Sequence, residues 1–212
     1  HGVFIAALGA TGTLLIVYRG SKDTEDVLLN LAGILAFVVA FVPTSRPVLF
    51  CGESSLPVGA VTDRAIVGNV WALVIAMVVA RAASWWMYRR TGTGRSPSPL
   101  GNVAVWVQRA VLTAGLIILI VAPSWFVTNA HGLAAVTMFA AFIVTVLINA
   151  FLAGRQDAEK CPHRRVYHVA YQVISLAMVL TLIAAVVVHL VLDDFSHVVL
   201  AVEVALILEF GA

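Results

Sequence analysis

Apolar residues run almost unbroken through seven stretches of this chain, at about residues 2–18, 27–43, 66–88, 103–122, 132–153, 168–191 and 197–212. Polar residues collect in the gaps between them. Each stretch is about long enough to cross a hydrocarbon layer of roughly 30 Å as an α-helix. The runs are continuous and do not alternate residue by residue, so the pattern is not that of a membrane β-barrel wall. The expected fold is therefore all-α: a polytopic transmembrane helix bundle of seven helices in one transmembrane domain. A continuous helix from His168 to Gly211 would be about 65 Å long, roughly twice the hydrocarbon thickness. The chain must turn within it, and the polar run Asp193-Asp194-Phe195-Ser196-His197 is the place. Within the second run, Ala32, Ala36 and Ala40 recur every four residues, a stripe along which membrane helices approach closely.

Composition agrees with the pattern. Of 212 residues, 61% are hydrophobic and 11% charged, with a mean hydropathy of +1.00. A small soluble core cannot hide that much apolar surface, so lipid must solvate most of it. The net charge of +2 says little, but its distribution is asymmetric. With the N-terminus of the first helix outside, the inner connections carry Arg19, Lys22, Arg89, Arg90, Arg95, Arg155, Lys160, Arg164 and Arg165, and the outer ones only Arg46 and Arg64. The positive-inside rule then predicts N-outside and C-inside, with residues 19–26, 89–101 and 154–167 cytoplasmic and residues 45–65 and 192–197 external. Trp85, Trp86 and Tyr88 fall where the inner aromatic belt belongs. Nothing here supports nucleic-acid binding. Cys51 and Cys161 fall on opposite sides by this topology and cannot bridge each other. Both ends look cut from a longer protein, since the chain opens on His1 and closes inside an apolar run.

The series Tyr18-Arg19-Gly20, Asp26, Asn30-Leu31-Ala32-Gly33 and Val42-Pro43-Thr44 resembles a family of uncharacterised bacterial integral membrane proteins marked by YRG, N-x-AG and FPT motifs. His131 opening a helix, Arg164-Arg165-Val166-Tyr167 at an inner boundary, and Glu203 followed by Phe210-Gly211 resemble that family's later half. The likeness covers about residues 1–44 and 131–211. It implies a helical bundle with one more helix before the first one here. Two departures matter. In the family, FPT leads by one outer loop to the histidine, whereas this chain inserts about 45–130. The helical part of that insertion, 66–122, is expected to be a peripheral hairpin that preserves the orientation of the later helices. His168 stands where the family often has a second arginine, which weakens any role copied from that position. The resemblance implies no activity.

The candidate chemistry lies on the outer face. His131 is expected to begin the fifth helix, His189 to end the sixth and His197 to begin the seventh, with Asp63 before the third. Glu203 sits about 9 Å deeper on the seventh. Imidazoles with carboxylates suit zinc, or iron or copper if other ligands complete the geometry, and they also suit a proton relay. The plainer reading is a capped turn in which Asp193, Asp194 or Ser196 accepts the free N–H groups of the last helix, and that reading is preferred. Glu203 is open between a structural hydrogen bond and a functional role, because an ionisable group within a membrane helix needs a partner or a wet cavity. For Glu209, a buried pair with Arg81 or Arg109 competes. At the inner boundary Cys161 and His163 match no metal-finger spacing, and Arg164 and Arg165 suit contact with anionic lipid head groups. No nucleophile motif, phosphate-binding glycine loop or haem-attachment sequence is present.

The expected function is that of a multi-pass plasma-membrane protein, non-catalytic, binding lipid or a small ligand or serving as an accessory subunit of a membrane complex. Membrane lipids and other membrane-protein subunits are the expected partners. The competing readings are a metal-assisted membrane hydrolase with its outer histidines and carboxylates as the site, and a transporter using Glu203 as its relay.

Overall fold

A computed structural model describes residues 2–43, 58–92, 98–155 and 163–191, and Ala205. The described residues form an all-α structure of six helices: α1 (Gly2–Val17), α2 (Asp23–Phe41), α3 (Val58–Thr91), α4 (Pro99–Val121), α5 (Pro123–Gly154) and α6 (Arg164–Val191). Five of them, all but α1, are long and apolar enough to cross a membrane. The run at 197–212, expected to be a seventh helix, lies outside the described residues apart from Ala205, which is helical. The chain forms two compact units, residues 1–135 and 136–212.

The first unit is built on α2. Its Ala32 and Ala36 are fully buried and Ala40 nearly so, so the alanine stripe faces protein. The tightest approach to α1 comes one residue further round. A methyl group at Gly33 would lie 2.6 Å from the backbone oxygen of Gly12 and 2.8 Å from Cγ1 of Ile16, and one at Gly12 would lie 2.8 Å from the oxygen of Gly33. Only paired glycines let the two backbones touch in this way.

The turn between α1 and α2 is closed by carboxylates. Gly20 N–H donates to Asp26 Oδ1. The N–H and hydroxyl of Ser21 donate to Glu25 Oε2 at 2.9 and 3.2 Å. Acidic residues in a first helical turn also suit the positive end of the helix dipole, which is why α2 starts at Asp23, four residues before its apolar run. Asp23 reaches across to α4, accepting from Ser98 N–H at 2.5 Å and from the Ser98 hydroxyl at 2.9 Å. Ser98 in turn caps α4 by accepting from Gly101 N–H at 3.0 Å, with Pro99 leading the helix. The starts of α2 and α4 therefore lie side by side at one end of the unit.

At the other end Val42, Ile66, Val70, Leu119, Phe126, Val127 and Ala130 form a buried cluster drawn from the end of α2, the start of α3, the end of α4 and the start of α5. α3 and α4 both pack on α2, and they share few close backbone approaches with each other. A single residue, Ala122, joins α4 to α5. Helix α5 thus begins nine residues before position 132, and His131 lies within it instead of opening it. Pro123 suits a first helical turn, where its missing N–H leaves no bond unmade. Burial of Phe126, Val127 and Ala130 then makes the early turns worth forming.

In the second unit the later part of α5 meets α6 (Arg164–Val191). The His168 ring Nδ1 lies 2.7 Å from the carbonyl oxygen of Ala150, and a carbonyl only accepts, so that nitrogen carries the proton. A side chain at Gly154 would press on the same ring, 3.0 Å from Nδ1. Ser175 and Met178 of α6 are buried, and Phe139 and Phe142 of α5 meet edge to face.

Candidate functional site

Of the outer cluster expected from sequence, only His131 and Asp63 have described side chains. His131 is buried, and its Nδ1 lies 2.5 Å from the carbonyl oxygen of Val42, the residue that ends α2. Since the carbonyl has no proton, His131 Nδ1–H is the donor. The helix-terminal carbonyl is one of those left without an intrahelical partner, and a buried one without a donor costs about 1–3 kcal/mol. His131 therefore ties α5 to the end of α2. Asp193, His197 and Glu203 lie outside the described residues, as does the side chain of His189. Asp63 is half-buried near the start of α3. Among the described residues no three histidine, cysteine or acidic side chains are grouped so as to hold a metal ion.

Arg165, expected at an inner boundary, is exposed at the start of α6, and the side chain of Arg164 lies outside the described residues. Four of the described cations share one device. The guanidinium of Arg89 lies 4.1 Å from the centre of the Trp85 ring, that of Arg90 4.3 Å from Trp86, that of Arg109 5.6 Å from Trp106, and that of Arg155 4.1 Å from Phe151. Each pair sits one helical turn apart on its own helix, and the three indoles are exposed. Flat cations on the amphipathic indoles suit the level where acyl chains meet head groups.

The polar group least foreseeable from sequence is Gln108, in the middle of α4. It is only 3% exposed, its Oε1 accepts from Nη2 of Arg81 on α3 at 3.4 Å, and its buried Nε2 has no hydrogen-bond partner among the described residues. Arg81 faces outward and meets no carboxylate among the described residues. This bridge spans two helices whose backbones do not pack closely together. Gln108 gives no signal as a lone amide in an apolar run. The signal is depth: Arg81 lies ten residues before the end of α3 at Thr91, and Gln108 nine after the start of α4 at Pro99, so both sit in one layer.

The group is all donors, with its one acceptor already engaged. It offers no nucleophile, and donors of this kind suit an anion.

Compared with known protein families, curated proteins and solved structures, the chain matches none.

Proposed function

We propose that this chain is a non-catalytic multi-pass protein of the plasma membrane, a binder of lipid or of a small amphiphilic ligand, or an accessory subunit of a membrane complex. The N-terminus of α1 lies outside, and a final helix at about 197–212 completes a seven-helix bundle. The resemblance to bacterial polytopic membrane proteins belongs to the same proposal. The observation that carries it is how the described residues of the YRG, N-x-AG and FPT series are used. Gly20 donates to Asp26, Gly33 is set against Gly12, and the carbonyl of Val42 accepts from His131. These residues join helices to one another, which is the work of a scaffold. The lysine and arginine asymmetry supports the orientation.

Single cysteines test it. With Cys51 and Cys161 replaced, Arg95→Cys and Lys160→Cys should stay unlabelled by a membrane-impermeant thiol reagent in intact cells and react after permeabilisation, while Arg46→Cys reacts in both. Labelling of position 95 or 160 in intact cells would overturn the orientation. Release of the protein from membranes by alkaline carbonate would overturn the membrane reading itself.

A further inference from the structure

We propose that Arg81 and Gln108 form a binding site for the phosphodiester head group of an anionic phospholipid, entered between α3 and α4. The inference rests on the proposed membrane function. Four observations converge on it. Gln108 is buried with its Nε2 unpartnered, so two N–H donors are held ready with nothing among the described residues to accept them. Its Oε1 is fixed towards Arg81, because a guanidinium donates and cannot accept, and this leaves the amide nitrogen as the open end. Arg81 lies within an apolar span and meets no carboxylate among the described residues. A cation in such a place ordinarily faces a partner or a polar cavity. Finally, α3 and α4 share few close backbone approaches, so the buried amide is covered here by side chains, which can move aside, and not by tightly packed backbones.

Charge selects the occupant. The same hairpin end carries Arg89, Arg90 and Arg109 stacked on Trp85, Trp86 and Trp106, all exposed. The last two turns of α3 and the first three of α4 contain no acidic residue of their own, and Asp23 of α2, the carboxylate that meets the start of α4, is engaged by Ser98. Such a field attracts anions, and in the cytoplasmic leaflet the abundant anions are phospholipids. A phosphodiester offers two unesterified oxygens. One accepts from the Arg81 fork and the other from Gln108 Nε2, while the acyl chains lie along the apolar, outward-facing residues Val78 and Val107. The Trp-stacked arginines gather lipid at the surface, and Arg81 with Gln108 select one molecule.

The full chain is reconstituted in vesicles of phosphatidylcholine alone and of an equal mixture with phosphatidylglycerol, and retained lipid is counted by native mass spectrometry. The wild type should hold phosphatidylglycerol over phosphatidylcholine by about tenfold, the scale expected for hydrogen bonds to a charged group. Arg81→Gln should bring the ratio near parity. Gln108→Glu supplies the missing acceptor from within, so it should also abolish the preference while raising the melting temperature in phosphatidylcholine alone. A wild type that does not discriminate, or an Arg81→Gln and a Gln108→Glu that discriminate as well as it does, overturns the proposal. So does displacement of the bound lipid by sn-glycerol 3-phosphate in the buffer, which would make the ligand a soluble phosphate ester. A dimer that Arg81→Gln dissociates and phosphatidylglycerol leaves unchanged would overturn it in favour of a carboxylate from a second copy. Protein retained through alkaline carbonate yet without lipid preference removes this inference alone, whereas protein released by carbonate removes the membrane reading with it.

Discussion

The α1–α2 pair and the α3–α4 hairpin are both two apolar helices joined by a polar turn, yet they are held by opposite means. In α2, 67% of the most apolar stretch is buried, against 11% in α3 and 17% in α4. Helices α1 and α2 touch backbone to backbone through Gly12 and Gly33, and their turn is closed by Asp26 and Glu25. The hairpin meets at its open end through Ile66, Val70 and Leu119, and further along through the long side chains of Arg81 and Gln108. Lipid is as apolar as a leucine-rich helix, so apolarity alone does not draw membrane helices together; close small-residue packing does. Helix α2 has that packing. The hairpin lacks it, and its apolar and cationic surface stays exposed.

The largest expected effect comes from the glycine contact. In Gly33→Ala the added methyl meets backbone, which cannot swing away as a side chain can, so α1 must shift bodily from α2. The expected loss is about 1–3 kcal/mol of stability, and Gly33→Leu should prevent recovery of folded protein. Thermal unfolding in mild detergent, followed by helical circular dichroism, measures both. An alanine variant that melts with the wild type would show that the pair is not held by its backbones and would erase the contrast with the hairpin.

How far sequence reaches differs between the same two regions. The apolar runs mark where each described helix lies, because burial in lipid is a property of composition along a segment. They do not mark where helices end. α2 begins at Asp23 and not 27, since its first turn is held by carboxylates that an apolar pattern counts as loop. α5 begins at Pro123 and not 132, because Phe126, Val127 and Ala130 gain burial only once α2, α3 and α4 are in place around them. The alanine stripe locates the buried face of α2, but the glycine pair next to it becomes visible only when α1 is set against it. Long-range partners are the least legible. Val42 and His131 both stand among the motif residues, yet nothing along the chain says that the ring reaches a carbonyl 89 residues away. Gln108 acquires meaning only from Arg81 on the neighbouring helix, 27 residues away.

An intermediate effect is expected where the two regions join. His131 supplies a donor to the last carbonyl of α2, beside the cluster that α3 and α4 share with it. His131→Phe keeps the ring volume and removes the donor, leaving a buried carbonyl unsatisfied, and should cost about 1–3 kcal/mol. His131→Gln keeps an N–H within reach and should recover much of that loss in the same melting assay. Equal stability of the phenylalanine and wild-type proteins would mean that the hydrogen bond does not join α5 to α2.

The smallest effect has the opposite sign, which makes it the sharpest discriminator between the two regions. Gly68 in α3 and Gly115 in α4 have nothing within 4 Å of the place a methyl group would take, in contrast to Gly12 and Gly33. Glycine in a helix interior is less favourable than alanine by about 0.5–1 kcal/mol, because it loses more backbone freedom on folding. With no neighbour to clash against, Gly68→Ala and Gly115→Ala should each raise the melting temperature slightly, and the double variant should show the sum, as independent sites do. The same chemical change is therefore expected to destabilise one helix pair and stabilise the other. If either hairpin variant instead lost stability as Gly33→Ala does, its helix would have to be packed against a surface as close as α1 is to α2, and the lipid-facing character assigned to the hairpin would fail.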